Sequence, residues 1–305
     1  MQTTSHILMI RPVNFGFNEQ TAESNAFQNR DAALQNVQDK AQREFDGFVD
    51  ILRQNGVDVT VVNDTSSPHT PDSIFPNNWV SFHDDGTVFL YPMQAENRRL
   101  ERREDILRDL QENFKIEHTI DLSRFEAEGR FLEGTGSMVL DRENKIAYAC
   151  LSPRTDREVL EVFCEQAGYK PILFHANDQA GQAIYHTNVL MAIGSKYVVI
   201  CLDAITDDEE LELLIDSFEA TGKEIVAITF EQMNSFAGNM LEVQNNKSES
   251  LLVMSKNAWE SLVDEQKEVL TLYSKPVYAD INTIETIGGG SARCMMAEVH
   301  LPVAG

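Results

Sequence analysis

Hydrophobic and polar positions along the chain alternate in a pattern that repeats. Four short apolar runs resemble one another: TVFLYP at 87–92, KIAYAC at 145–150, KYVVIC at 196–201 and SLLVMS at 250–255. Each follows a polar, turn-like stretch (HDDG, DREN, IGS, QNNKSE), and before each turn lies a further apolar segment, NWVSF, GSMVL, NVLMAI or NMLEV. Paired apolar runs around a turn-rich break predict β-hairpins. After each hairpin the apolar spacing changes to three or four, at 98–113, 157–168, 208–221 and 258–272, which predicts helices. Gly168 and Gly222 sit where two of these should end. One more strand closes each set: KIEHTI, KPILFH, EIVAITF and KPVYADI.

A fifth copy is divided between the chain ends. A helix over roughly 30–54, carrying Leu34, Val37, Phe45, Phe48, Val49 and Leu52, precedes the strand VDVTVV. Its hairpin would join CMMAEVHL near the C-terminus to HILMIRP near the N-terminus. The unit is strand–strand–helix–strand, beginning at Asn78, Gly136, Asn188, Asn239 and Arg293. Five such units closing on themselves predict an α/β, five-bladed ββαβ propeller. Radial repetition leaves only short sheet edges. No linker or composition break divides residues 1–305, so a single domain is expected.

Composition narrows the function. A formal net charge of −24 argues against nucleic-acid binding, which needs clustered Lys and Arg, and against docking to anionic membranes. No apolar run approaches the roughly 18 residues of a membrane span, and the N-terminus does not read as a signal peptide, so a cytoplasmic location is expected. The four cysteines show no CxxC or Cys/His ligand spacing, so neither a zinc site nor a disulfide framework is expected. Cys150 and Cys201 lie in apolar runs and read as core thiols.

Equivalent positions of a propeller surround its axis at one end. The five unit entries read DSIFPNNW, EGTGSM, IYHTNV, SFAGNM and GGGSARCM, and they bring Glu133, His186 and Cys294 into register. A lone Cys is usually core filler, a lone His a structural hydrogen-bonding group and a lone Glu a turn residue. At equivalent positions of one repeat they form a nucleophile, a base and its carboxylate partner. Cys294 follows a glycine run suited to close backbone approach and stands beside Arg293, a charge that favours a thiolate.

These motifs resemble the pentein, or guanidino-group-modifying, superfamily over essentially the whole chain. Its members include arginine deiminases, dimethylarginine dimethylaminohydrolases, succinylarginine dihydrolases and amidinotransferases, all built as five-bladed ββαβ propellers. GGGSARCM is similar to the nucleophile loop, IYHTN to the histidine motif and FLEGTGSM to the carboxylate motif. The resemblance implies Cys294, His186 and Glu133 as catalytic residues. LSPRTD is similar to the loop whose arginine grips the substrate carboxylate, which implies that role for Arg154. The implied enzyme is a hydrolase of linear C–N bonds that works through a covalent S-linked intermediate, with no metal or organic cofactor. His186 would serve as acid and then base, Glu133 would orient it and favour its charged form, and backbone N–H groups of Gly288–Gly290 would steady developing charge.

Departures from the family bear on substrate. DSIFPNNW resembles the first-blade segment of dimethylarginine hydrolases, where acidic residues bind substrate. Asp72 is retained, but Asn77 and Asn78 stand where the acidic pair is expected. Deiminases carry Asp two residues after the histidine, and this chain has Asn188. Amides offer neutral donors and acceptors, suited to a ureido group rather than a guanidinium. This pattern resembles a subgroup linked to citrulline use, which implies citrulline going to ornithine, carbon dioxide and ammonia. Asp72 would then hold the α-ammonium and Arg154 the α-carboxylate. An arginine or methylarginine hydrolase is the main alternative, and an amidinotransferase lacks an identifiable amine acceptor. A non-catalytic ribosome-binding pentein should have lost the nucleophile and carry basic surfaces. The expected partner is a small amino-acid substrate, and oligomeric state, including a homo-oligomer, is left open.

Overall fold

The structure, a computed structural model, describes residues 1–22, 24–29 and 36–304. Residues 30–35, where the first helix was expected to begin with Leu34, lie outside the described residues, and the described helix is Val37–Gln54.

Among the described residues there are five three-stranded sheets of one design. In each, two strands pair antiparallel and the second pairs parallel with a third reached through helix. Val80–Phe82, Thr87–Leu90 and His118–Asp121 form one sheet, and Val139–Asp141, Ile146–Cys150 and Lys170–Phe174 the next. Met191–Ile193, Tyr197–Ile200 and Glu224–Ala227 follow, then Leu241–Gln244, Ser250–Ser255 and Lys275–Ala279. The fifth sheet joins the chain ends. Ile7 and Leu8 oppose Glu298 and Ala297 antiparallel, and His6–Arg11 runs parallel to Asp58–Asn63. This is the ββαβ pattern read from the repeat, including its divided copy.

The first strands of the units face one another. The Ala297–Glu298 strand contacts Val80–Phe82, and Met191–Ile193 contacts both Val139–Asp141 and Leu241–Gln244. The Gln244 amide donates to the Thr4 carbonyl at 3.1 Å, tying the fourth hairpin to the N-terminal strand. Helices cover the outer strands. Phe45, Phe48 and Leu52 of Val37–Gln54 are buried against Val277 and Ala279. Arg157–Ala167 lays Val159, Leu160 and Phe163 on the second sheet. Asp156 and Asp207 cap their helices by accepting two backbone N–H bonds each, and Gly168 ends Arg157–Ala167 in the left-handed region at φ 71°.

Three expectations change in detail. The helix over 98–113 is two pieces, Glu96–Arg99 and Glu104–Leu110, and Leu100 is 51% exposed. The break turns Arg98 and Glu101 inward as a buried ion pair. The helix over 258–272 divides into Lys256–Ser261 and Asp264–Tyr273, leaving Leu272 76% exposed. The segments entering the units are not continuous strands. Pro76–Asn78, Gly134–Ser137 and Thr187–Leu190 each form one tight helical turn before the strand begins. Those turns carry the polar entry side chains into a common centre.

Candidate active site

Cys294, His186, Arg154, Asn78 and Asp72 line one narrow cavity with Arg98, Phe75, Tyr185, Asn25 and the Gly288–Gly290 loop. Its free volume is ≈ 20 Å³, about the room of a single water molecule. Glu133 and Asn188 stand directly behind it, buried against His186 and Cys294.

Glu133 is the residue from which the short turn Gly134–Ser137 starts, and its backbone N–H donates to Ser137 Oγ at 2.8 Å. Its Oε2 meets His186 Nε2 at 2.8 Å, and its Oε1 accepts the Gln94 backbone N–H at 3.0 Å. Arg154 Nη1 lies 3.5 Å from the same Oε2. Burial alone would raise the Glu133 carboxyl, but the Arg154 charge and the His186 bond override it and hold the group far below the usual carboxylate range. An ionised Glu133 accepts from Nε2–H, so Nδ1 is the free acceptor of the imidazole. Burial lowers His186 to about 4, more than Glu133 raises it. Glu133 does favour the charged ring, as expected, but burial outweighs it, so near neutral pH the ring is uncharged with Nδ1 free to accept a proton.

Gly136 gives these groups their space. A Cβ there would lie 2.3 Å from Asn78 Nδ2 and 2.8 Å from His186 Nδ1, so both nitrogens converge on its open face. A Cβ at Gly134, whose φ is 48°, would lie 2.3 Å from the Asn77 carbonyl oxygen.

Cys294 is 6% exposed. Asn188 Nδ2 donates toward its sulfur at 3.5 Å and Asn239 Nδ2 at 3.3 Å. Asn239 also donates to the Asn188 carbonyl at 2.8 Å and accepts the Arg293 N–H at 3.0 Å, so it ties the histidine turn to the nucleophile turn. Asn239 occupies the repeat position of Asn188 and, like it, meets the sulfur, a role its place in the repeat signals. One expectation about this loop is corrected and another narrowed. The Arg293 guanidinium is bound to Glu298 Oε2 at 2.5 Å and to the Met296 carbonyl, so its charge is compensated by Glu298. Of the Gly288–Gly290 loop, the Gly289 N–H is already committed to the Glu285 carbonyl, which narrows the expected donors for developing charge. The glycines also allow close packing: a Cβ at Gly290 would meet the Phe75 ring at 2.8 Å.

Among the first-blade residues, Asn78 Oδ1 accepts Arg98 Nη1 at 2.9 Å, and Arg98 is clamped by Glu101 through Nε–Oε1 at 2.9 Å and Nη2–Oε2 at 3.0 Å. Nothing in the periodicity distinguished Arg98 from a surface helix residue, and only its burial does. Asn77 faces away from the cavity, with Nδ2 on Thr135 Oγ1 at 3.3 Å. Asp72 Oδ2 accepts from Asn18 at 2.7 Å and Thr21 at 3.2 Å, and Arg98 Nε lies 3.8 Å away. Asp72 Oδ1, Asn78 Nδ2 and Asn188 Oδ1 are buried with no partner.

Arg154 stacks over the Tyr185 ring at 4.8 Å and is 2% exposed. Its guanidinium donates to Ser24 Oγ at 2.6 Å and to the Thr21 carbonyl at 3.0 Å. Asn25 and Gln28 donate to the Gly289 and Gly288 carbonyls, so residues 18–22 and 24–28 cover the cavity. Cys150 and Cys201 are fully buried, the former pushed up to about 12 by burial, as expected of core thiols.

Solved structures share this fold. Full-length ArgZ, an arginine dihydrolase of the ornithine–ammonia cycle in cyanobacteria, aligns with TM-score 0.76 and 16% identity over 98% of this chain. The chain spans 41% of that protein. The substrate-bound N-terminal domain of ArgZ aligns at 0.75 over 98% of this chain and 99% of its own. The dimethylarginine enzyme DDAH of Pseudomonas aeruginosa, solved with citrulline, aligns at 0.65 with 14% identity over 97% of this chain and 99% of its own. A comparison with curated protein sequences gives no match. The five ββαβ sheets match the fold of these neighbours. The family model for eukaryotic N,N-dimethylarginine dimethylhydrolase matches residues 11–301, and the chain belongs to that family. Among the described residues, no helix is long and apolar enough to cross a membrane.

Proposed function

We propose that the chain hydrolyses a ureido amino acid, citrulline, to ornithine, carbon dioxide and ammonia, with Cys294 as nucleophile. The observation that carries this reading is a pair of uncharged amides at the cavity, Asn78 on its wall and Asn188 against the Cys294 sulfur. Asn78 Nδ2 is a buried donor without a partner, and Asn188 Oδ1 is a buried acceptor without one. A ureido group has one acceptor oxygen and N–H donors, so it satisfies both. A guanidinium has donors only and would leave the Asn78 N–H facing another N–H.

In the first half-reaction neutral His186 takes the thiol proton. The sulfur attacks the ureido carbon, the bond to the terminal nitrogen breaks, and His186 delivers the proton to the departing ammonia. A thiocarbamate on Cys294 remains, still carrying the substrate chain. In the second, His186 takes a proton from water, the hydroxide displaces sulfur, and the proton returns to the thiolate. The carbamate released loses carbon dioxide to give ornithine. Glu133 fixes the ring tautomer and stabilises the imidazolium in each half. Arg154 would hold the α-carboxylate and Asp72 Oδ1 the α-ammonium. The carboxylate must first replace Ser24 Oγ and the Thr21 carbonyl on Arg154, so substrate entry displaces that segment. Tyr185 and Glu133 keep the Arg154 side chain in place meanwhile.

Arginine is the competing substrate, because ArgZ is an arginine dihydrolase and the family model is one for dimethylarginine. The test is a product assay with purified protein on citrulline, arginine, dimethylarginine and agmatine. Ornithine and ammonia formed fastest from citrulline support the reading. Citrulline accumulating from arginine or dimethylarginine, with citrulline itself inert, overturns it.

A further inference from the structure

We propose that Arg98, clamped by Glu101, is a positioning residue that sets the hydrogen-bonding polarity of the site. The inference rests on the ureido reading above. The two ends of an Asn side chain are nearly the same in shape, so a buried amide presents whichever end its other contacts leave over. A guanidinium can only donate. With Arg98 Nη1 at 2.9 Å, the atom of Asn78 it touches must be the oxygen, and the end left at the Gly136 face must be Nδ2. Two further contacts stop Arg98 from leaving: the paired hydrogen bonds to Glu101 and the Phe75 carbonyl at 3.3 Å. All three residues, Asn78, Arg98 and Glu101, are buried.

The consequence is chemical. A donor held inward selects a ligand atom that accepts, the ureido oxygen. An amide free to turn would offer its oxygen to a ligand that only donates, such as a guanidinium. The break between Glu96–Arg99 and Glu104–Leu110 serves this arrangement, because it brings Arg98 and Glu101 inside together.

The test compares relative affinity for citrulline and arginine, measured calorimetrically on protein whose nucleophile is replaced by Cys294→Ala. Two backgrounds are added. Arg98→Lys retains a donor-only group and keeps the amide oriented. Arg98→Gln with Glu101→Gln removes both charges of the pair together, so that Glu101 is not stranded while Asp72 keeps Asn18, Thr21 and the Arg154 charge, and supplies an amide that can donate or accept. The Lys variant should keep the citrulline-to-arginine preference of the parent even if both affinities fall. The double Gln variant should shift the preference toward arginine by about tenfold or more, the usual consequence of relieving one unmatched buried polar contact. Thermal melts confirm that each variant folds. If the double variant does not fold, Asn78→Leu, which removes the amide but no charge, takes its place and should lose the same preference. Equal preference in all variants overturns the inference, because a residue that merely supports the fold or attracts the shared α-carboxylate affects both ligands alike. A parent that prefers arginine, with the preference still dependent on Gln against Lys, overturns the citrulline reading and leaves the positioning role standing.

Discussion

Gly136→Ala tests how closely the site is packed. An added methyl would sit 2.3 Å from Asn78 Nδ2, 2.8 Å from His186 Nδ1 and 2.9 Å from His186 Cε1, all well inside contact distance. Those atoms belong to side chains, which usually yield at small cost, but neither is free to do so. Asn78 is held through Oδ1 by Arg98, and His186 through Nε2 by Glu133. Relief requires lengthening one of these buried hydrogen bonds or moving the turn Gly134–Ser137, which itself packs on the Asn77 carbonyl at Gly134. Overpacking of this kind costs about 1–3 kcal/mol of stability. The effect on activity should be larger, because a displacement of about 1 Å in reacting groups lowers rate by about 10²-fold. Denaturant unfolding and steady-state ammonia release on one preparation separate the two quantities. A folded variant losing about 100-fold in kcat is expected. Activity within about threefold of the parent refutes the claim that Asn78 and His186 are both fixed over Gly136.

Cys294→Ala should reduce hydrolysis to background while the melting temperature stays near that of the parent, and ammonia release at the parental rate would remove Cys294 as nucleophile. Glu133→Gln should lower kcat by about 10²–10⁴-fold, the range of positioned acid–base groups, with little change in KM, so a pure KM effect would contradict its partnership with His186. Asn239→Asp places a carboxylate beside the Cys294 sulfur, where a negative charge disfavours a thiolate, so iodoacetamide alkylation at pH 7 should slow by about tenfold, and unchanged labelling would deny that contact. Stability should fall as pH drops from about 6.5 toward 4. His186 and His300 are lowered to about 4 by burial, and His83 lies well below its ordinary value for the same reason. Over that window the unfolded chain binds protons that the folded one refuses, which costs about 1.4 kcal/mol per pH unit for each such ring. Urea midpoints constant between pH 7 and 4.5 would contradict buried neutral histidines.

How much of this was readable in one dimension differs by feature. The ββαβ order, the five copies and the joining of the chain ends follow from apolar spacing, because a strand or helix must present its apolar face at its own period whatever surrounds it. Glu133, His186 and Cys294 were legible as repeat equivalents. Asn239 is legible by the same rule, since it begins its unit as Asn188 does. Arg98 was not legible: it sits among NRRLERRE, where every position but Leu100 looks solvent-facing, and the break that buries it with Glu101 depends on packing against the first-blade turn. The partners of Arg293 and Gly289 were not legible for a related reason, since neighbours along the chain say nothing about which partner a guanidinium or an N–H finds in space.

The hydrophobic pattern and the entry motifs thus determined which residues reach the centre of this protein, because burial periodicity is local. Which way each polar group points there, what charge His186 carries and which end of Asn78 meets a ligand were decided by tertiary structure. Those properties arise from burial and from hydrogen bonds between segments far apart in the chain, and no local pattern records them.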